Sequence, residues 1–168
     1  MNILTLEDTA DRHLAKILEI QARDNGDTEF LITDDARITY AEANAICDRL
    51  AAGFNHLGIE KGDRVSFFTG NTPEMILACL ALNKLGAVWV PICTDYRGDW
   101  LQDALARSRA KILVTDAEHL EHVNPLRSSL DYEHCVIIEA DVAAANGALS
   151  YDDLLTHGSH TPDHDQMD

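Results

Sequence analysis

Cationic side chains are scarce: 13 Lys and Arg stand against 29 Asp and Glu, a formal net charge of −16 over 168 residues. That balance repels phosphate-rich polymers and anionic headgroups, which argues against nucleic acid and membrane surfaces as partners. Long apolar runs are missing too. The opening MNILTLEDTADRH carries acids where a secretory leader has a basic and then an apolar stretch, and no segment reaches bilayer-spanning length. A soluble, cytoplasmic protein is expected. Cys47, Cys79, Cys93 and Cys135 form no Cys-x-x-Cys pair, so reduced thiols are expected rather than disulfides or a metal site. There is no G-x-G-x-x-G after a strand and no G-x-S-x-G, which removes the dinucleotide fingerprint and the nucleophile elbow. No repeat recurs at a solenoid period.

What is present is an ordinary globular composition, 46% apolar and 25% charged. The most informative stretch is residues 62–91. Arg64 to Phe68 reads as a strand, and Gly70-Asn71 breaks it. Thr72 is placed as a helix N-cap, with Pro73 at the first helical position and Glu74 beside the positive end of the dipole. Met75, Ile76, Cys79, Leu80, Leu82 and Leu85 are helix-spaced, and Gly86 supplies a left-handed stop. Residues 87–90 read as a strand covered on both faces. Together these predict a parallel, right-handed βαβ unit.

Around it, residues 4–22 read as an amphipathic helix capped by Asp8 or Thr9, with Leu14, Ile17 and Leu18 on one face and Asn25-Gly26 at its end. Residues 30–39 read as a hairpin turning at Asp34-Asp35-Ala36-Arg37. Thr39-Tyr40-Ala41-Glu42 is a capping box for a helix to about Leu57, stopped by Gly58. Further on, a helix over 98–108 is expected to turn Trp100, Leu101, Ala104 and Leu105 inward. A strand at 112–115, a short helix at 118–123, a strand at 135–139 and a helical turn at 151–155 complete the reading. From Thr156 the composition is polar and rich in His and Asp, and a disordered tail is expected over 156–168 after an α/β unit over 1–155.

Alternation of helix and strand predicts an α/β layered domain: a mainly parallel sheet flanked by helices. Ligands of such sheets gather at the carboxyl ends of the strands. Two loops lie there, residues 69–72 and residues 92–98.

The order of short motifs then carries a resemblance. Ile38-Thr39-Tyr40-Ala41-Glu42, Arg49-Leu50-Ala51-Ala52-Gly53-Phe54, Leu57 to Val65, Asn71-Thr72-Pro73-Glu74 and Leu85 to Pro91 follow one another at spacings similar to those of the AMP-forming acyl-CoA synthetases. That adenylate-forming superfamily also includes luciferases and peptide-synthetase adenylation domains. The resemblance is good over residues 4–116 and loose beyond. It implies the N-terminal subdomain of that fold. It also implies a two-step reaction: a carboxylic acid and ATP give an acyl-adenylate, and a thiol, usually coenzyme A, then takes the acyl group. ATP, Mg²⁺ and coenzyme A are implied for a longer parent. The family's Ser/Thr/Gly-rich phosphate loop ending in Lys, its adenine motif, its ribose-binding Asp and its catalytic Lys have no counterpart here. The 168-residue chain alone is therefore expected to bind none of these cofactors and to be inactive. The alternative is a non-catalytic homologue acting as a binding or oligomerisation module; an unrelated flavodoxin-like domain is a weaker third.

Within this frame Gly70, Asn71 and Thr72 are candidates for the site wall, at a strand end beside a helix N-terminus. The plainer reading, preferred here, is a strand-to-helix turn with its cap. Thr94, Tyr96 and Arg97 are candidates near the substrate and coenzyme A, because the resemblance places the corresponding loop of acetate-activating relatives beside the pantetheine channel. The preferred alternative pairs Arg97 with Asp95 or Asp99 at the surface. Those relatives carry phosphate-binding arginines after the next strand, where this chain has Ala117-Glu118-His119-Leu120-Glu121-His122, so that contact does not transfer. His157, His160 and His164 have metal-ligand chemistry but no apolar frame, and a solvated linker is preferred. His13, His56, His119, His122 and His134 show no partner at a catalytic spacing and are read as structural. Because a sheet of this kind is covered by later parts of the parent, exposed apolar surface is expected, and with it self-association or marginal stability.

Overall fold

The computed structural model describes residues 12–34 and 36–157. Helix α1 (Leu14–Asp24) is capped by His13, whose ring nitrogen accepts the Lys16 N–H; the caps expected at Asp8 or Thr9 lie outside the described residues. A two-stranded antiparallel ribbon follows, β1 (Glu29–Ile32) against β2 (Arg37–Thr39). The capping box forms as the sequence predicts. Thr39 Oγ1 accepts the Glu42 N–H, the Glu42 carboxylate accepts the Thr39 N–H, and α2 (Tyr40–His56) starts there.

The alternating segments build one five-stranded sheet from β3 (Arg64–Phe68), β4 (Val88–Pro91), β5 (Ile112–Thr115), β6 (His134–Ile137) and β7 (Leu149–Ser150). Their order is β4-β3-β5-β6-β7, and every pair is parallel. Helix α3 (Pro73–Lys84) returns the chain from β3 to β4, and α4 (Gly98–Ser108) carries it back over β3 to β5. Helices α5 (Ala117–Val123) and α6 (Ala140–Ala145) connect onward, and α7 (Tyr151–His157) closes the described chain, running two residues beyond the expected helical turn.

Strand side chains alternate between two cores, as period-2 geometry requires. Val65, Phe67, Ile112, Val114 and Val136 meet Leu50, Phe54, Leu77, Leu82 and Leu154 from the helices on one face. Phe68 and Leu113 meet Leu101, Leu105 and Val123 on the other, and Cys135 and Ile137 meet Leu120 and Ala143 beside them. Glycine matters where α2 meets α7. A Cβ on Gly53 would lie 2.3 Å from the Leu154 carbonyl oxygen, so only glycine allows that approach.

Several expectations need correction. Strand β4 is not covered on both faces, because strand order puts it at the sheet edge, with Val88 and Trp89 exposed. Trp100 does not face inward. It is 74% exposed, while Leu101 and Leu105 carry the inner face of α4. Leu14 is exposed and Ala15 takes its place under α1. Lys84, on which the sequence offers no expectation, is buried at the end of an apolar helix: its Nζ lies 2.8 Å from Asp48 Oδ1, 3.3 Å from Glu19 Oε1 and 2.9 Å from Asn44 Oδ1. These contacts tie α1, α2 and α3 together. Helix α6 and strand β7 were not anticipated. The remaining tail and its histidine spacing lie outside the described residues.

Candidate functional site

The chain moves from β3 sideways to β4 and then crosses to β5 on the far side of β3. The return helices α3 and α4 accordingly pack on opposite faces, and the crossing point is the gap between β3 and β5. In open parallel sheets, the crevice outside the carboxyl ends at such a point is where ligands bind. The loops after β3, β4 and β5 all emerge at this end.

One carboxylate organises the crevice. Asp116, directly after β5, is buried. Its Oδ2 accepts the Thr69 hydroxyl at 2.7 Å and the Gly70 N–H at 2.9 Å, so it bridges the two strand ends. Its Oδ1 accepts the His119 N–H at 2.8 Å and lies 2.6 Å from His119 Nδ1. Burial pushes the Asp116 carboxyl upward, but the bonds from Thr69, Gly70 and His119 outweigh it and hold the group below its ordinary range. Below it, Thr115 Oγ1 donates to Phe68 O at 2.8 Å, and Phe68 meets the His119 ring edge-on at 5.2 Å between centroids.

Sequence reasoning overlooked this cluster and left His119 without a carboxylate. The signal was present: an Asp directly after a strand and three residues before the His is a helix N-cap, and that geometry returns the ring to its own cap. So saturated a carboxylate is a clamp between strand ends and holds no spare lone pair for proton transfer.

The candidates after β3 are committed to the same turn. Gly70 donates to Asp116. Asn71 is exposed. Thr72 caps α3 by accepting the Met75 N–H at 3.3 Å, and Pro73 has no N–H to offer. Most donors that would bind an anion at this helix N-terminus are therefore used or missing.

After β4, Thr94 and Tyr96 are half-buried and Arg97 is exposed. Arg97 pairs with neither Asp95 nor Asp99. Its Nη1 donates to the carbonyl of Thr94 and to that of Tyr96, the latter at 2.8 Å, which folds the loop around the guanidinium. The Tyr96 and Trp100 rings lie 6.1 Å apart between centroids, edge to face. The two candidate groups sit on adjacent strands, and only the β3 turn is tied to Asp116.

These residues do not fit Mg²⁺ or a triphosphate. No cluster of three His, Cys, Asp or Glu side chains with metal-binding geometry occurs among the described residues, and the Gly70 N–H is spent on a carboxylate. Cys47 and Cys79 are pushed up to about 12 by burial, which leaves them protonated and unreactive. Among the described residues, no helix is long and apolar enough to cross a membrane.

Known proteins resemble the chain in both sequence and fold. The family model described as AMP-binding enzyme matches residues 18–167. A crotonobetaine/carnitine–CoA ligase of Salmonella typhi is 32% identical over 127 residues, covering 74% of this chain and 25% of that ligase. Malpibaldin synthetase of Mortierella alpina is 29% identical over 147 residues, 88% of this chain but 2% of the synthetase. The apo structure of MbtA from Mycobacterium smegmatis superposes with a TM-score of 0.77 at 33% identity, over 90% of this chain and 28% of that one. The chain thus spans about a quarter of the length of the ligase it matches. The parallel sheet, the motif order and the family match agree: this chain belongs to the AMP-binding enzyme family and has the fold of the N-terminal α/β subdomain of its acyl-CoA ligases.

Proposed function

We propose that the chain is the N-terminal α/β part of an AMP-forming acid–thiol ligase, which joins a small carboxylic acid to ATP as an acyl-adenylate and passes the acyl group to a thiol. The family match over residues 18–167 is the observation that carries this reading, and the similarity to a crotonobetaine/carnitine–CoA ligase supports coenzyme A as acceptor. ATP, Mg²⁺ and coenzyme A belong to the whole ligase in this reading, and cytoplasmic placement goes with it. The part described here contributes shape. Asp116 pins the Thr69-Gly70 turn, so Gly70, Asn71 and Thr72 form a fixed wall at the crevice. Thr94, Tyr96 and Arg97 form a second wall on the neighbouring loop, facing the incoming substrate or thiol.

Charge supports a division of labour. Gathering a triphosphate needs cations and free N–H groups. This stretch has a net charge of −16, and most donors at its best-placed helix N-terminus are occupied or missing. The 168-residue chain alone therefore activates no acid. A second reading, association without catalysis, rests on the exposed β4 edge and Trp100. The deciding experiment is pyrophosphate release by the complete reading frame containing this chain, against aliphatic, aryl and carnitine-like acids with coenzyme A. Acid-dependent release followed by thioester formation supports the ligase. Silence with every acid, from a folded protein that binds neither ATP nor coenzyme A, favours the association module.

A further inference from the structure

Two Asn-Gly pairs occur in the sequence, Asn25-Gly26 and Asn146-Gly147. This dipeptide carries its own chemistry. The glycine nitrogen attacks the asparagine side-chain carbonyl: a bond forms between that nitrogen and Cγ, the Cγ–Nδ2 bond breaks, and ammonia leaves with the proton of the glycine N–H. Water then opens the five-membered imide at either carbonyl, giving aspartate or, with the main chain rerouted through the side chain, isoaspartate. Glycine favours the attack because it has no Cβ to shield the nitrogen and lets the backbone turn. In a folded chain the reaction depends on whether the pair is free to rotate, and the two pairs differ in that respect.

Asn25-Gly26 is held from several sides. Both residues are half-buried. Asn25 Nδ2 donates to Gln21 Oε1 at 2.6 Å, and the Asn25 N–H donates to Gln21 O at 2.8 Å. The Asn25 carbonyl accepts the Thr28 N–H at 2.9 Å, and the Gly26 carbonyl accepts the Ala41 N–H of α2 at 3.0 Å. Space is short as well, since a Cβ on Gly26 would lie 2.6 Å from Ala22 O. Turning this pair means parting α1 from α2.

Asn146-Gly147 is exposed and closes α6, a helix of six residues in which Ala143 is the one buried side chain. Asn146 Nδ2 donates to Val142 O at 2.9 Å, and the Gly147 N–H reaches Ala144 O at 3.3 Å. Both restraints lie within the last turn of α6. Ring closure must free the Gly147 nitrogen and turn the Asn146 main chain out of its ψ of 2°. Opening that turn uncovers little apolar surface, so it belongs to the low-energy end of local unfolding. No atom lies within 4 Å of where a Gly147 Cβ would stand, which leaves the pair open to water.

We propose that Asn146-Gly147 is a site of self-modification, at which the chain reacts with water to give aspartate or isoaspartate and so loosens the connection from α6 to β7. Either product replaces the amide donor with a carboxylate facing Val142 O and the negative end of α6. Isoaspartate also adds a main-chain carbon shortly before β7, which is registered on β6 by two pairs alone, Leu149 with Val136 and Ser150 with Ile137. The proposal is independent of the ligase reading, since it uses no residue of the carboxyl-end crevice.

The test incubates the 168-residue chain in heavy-oxygen water at neutral pH and follows the label by peptide mass spectrometry, folded and in denaturing urea. In the folded chain, label at residue 146 is expected to appear about tenfold faster than at residue 25, because the two turns differ in the cost of opening. In urea the two rates should converge, since both pairs are then the same free dipeptide. Asn146→Gln is expected to abolish label at 146 and leave that at 25 unchanged. Amide exchange in β7 should quicken in aged wild type and not in aged Asn146→Gln. Equal rates in the folded chain, earlier conversion at residue 25, or unchanged β7 exchange after most of residue 146 has converted would overturn the proposal.

Discussion

At the scale of the residue, two buried charges have separate tasks. Asp116 accepts four contacts from two segments, so Asp116→Ala strands the Thr69 hydroxyl and the Gly70 and His119 N–H groups in one step. A loss of about 2–4 kcal/mol is expected by urea denaturation, with Asp116→Asn intermediate because one acceptor oxygen survives. The sign with pH follows from the lowered carboxyl. Its stabilising contribution is complete above the ordinary Asp range and is lost as pH falls through the depressed value in the folded chain. The difference in stability between wild type and Asp116→Ala should therefore shrink on acidification; an undiminished difference at low pH would contradict the clamp.

Lys84 is the other case. Its side chain is 1% exposed, and removing it takes away the cation that lies between Glu19 and Asp48. Lys84→Ala is expected to cost about 3 kcal/mol, at the low end for a buried pair because both carboxylates keep some contact with water. Guanidinium is unsuitable for this measurement because it screens charge; urea at low salt shows the full effect.

At the scale of the element, what was legible in the sequence is what is decided locally. Thr39 with Glu42, Thr72 with Pro73, and Gly58 and Gly86 at positive φ marked helix ends that form where expected. The apolar run of residues 64–68 was equally readable as a strand, and it is buried from Val65 to Phe68. What failed depended on the neighbours of an element. Residues 88–90 have the composition of a central strand, yet strand order makes β4 an edge. Val88 and Ile92 donate inward to Asp63 O and Phe67 O, so Trp89 and Pro91 turn their main chains outward, and Pro91 brings no N–H to that edge. Helix α6 was missed because a six-residue, Ala-rich run is too short to show an apolar stripe, and β7 because two residues give no period. In the site, the caps were readable, whereas the link from Asp116 to Thr69 joins residues 47 apart and needed the sheet.

The α2–α7 contact gives an element-scale prediction. Gly53→Ala places a methyl group against the Leu154 main chain, with the oxygen at 2.3 Å and Cα at 2.9 Å. Backbone cannot step aside as a side chain does, so α7 must shift. A loss of about 1–3 kcal/mol is expected, with hydrogen exchange quickened first in α7. Unchanged exchange in α7 with an unchanged melting temperature would show that the contact is looser than described.

At the scale of the whole molecule, apolar surface and charge act in opposite directions. Val88, Trp89, Ile76 and Trp100 are exposed, which favours association, while −16 net charges oppose it. Screening decides between them: association is expected to grow from about 0.05 M to about 0.5 M salt, as the Debye length contracts. Sedimentation velocity at several concentrations checks this. A monomer at every salt and concentration would mean that these side chains do not drive contact.

In the proposed reading, this fold supplies site walls and the groups that hold ATP belong to other parts of a longer ligase. The most direct test is AMP formation from ATP, with a carboxylic acid and coenzyme A, by the 168-residue chain and by the complete reading frame side by side. Acid-dependent AMP is expected from the complete frame and none from the 168-residue chain. AMP formed by the 168-residue chain on its own would contradict it.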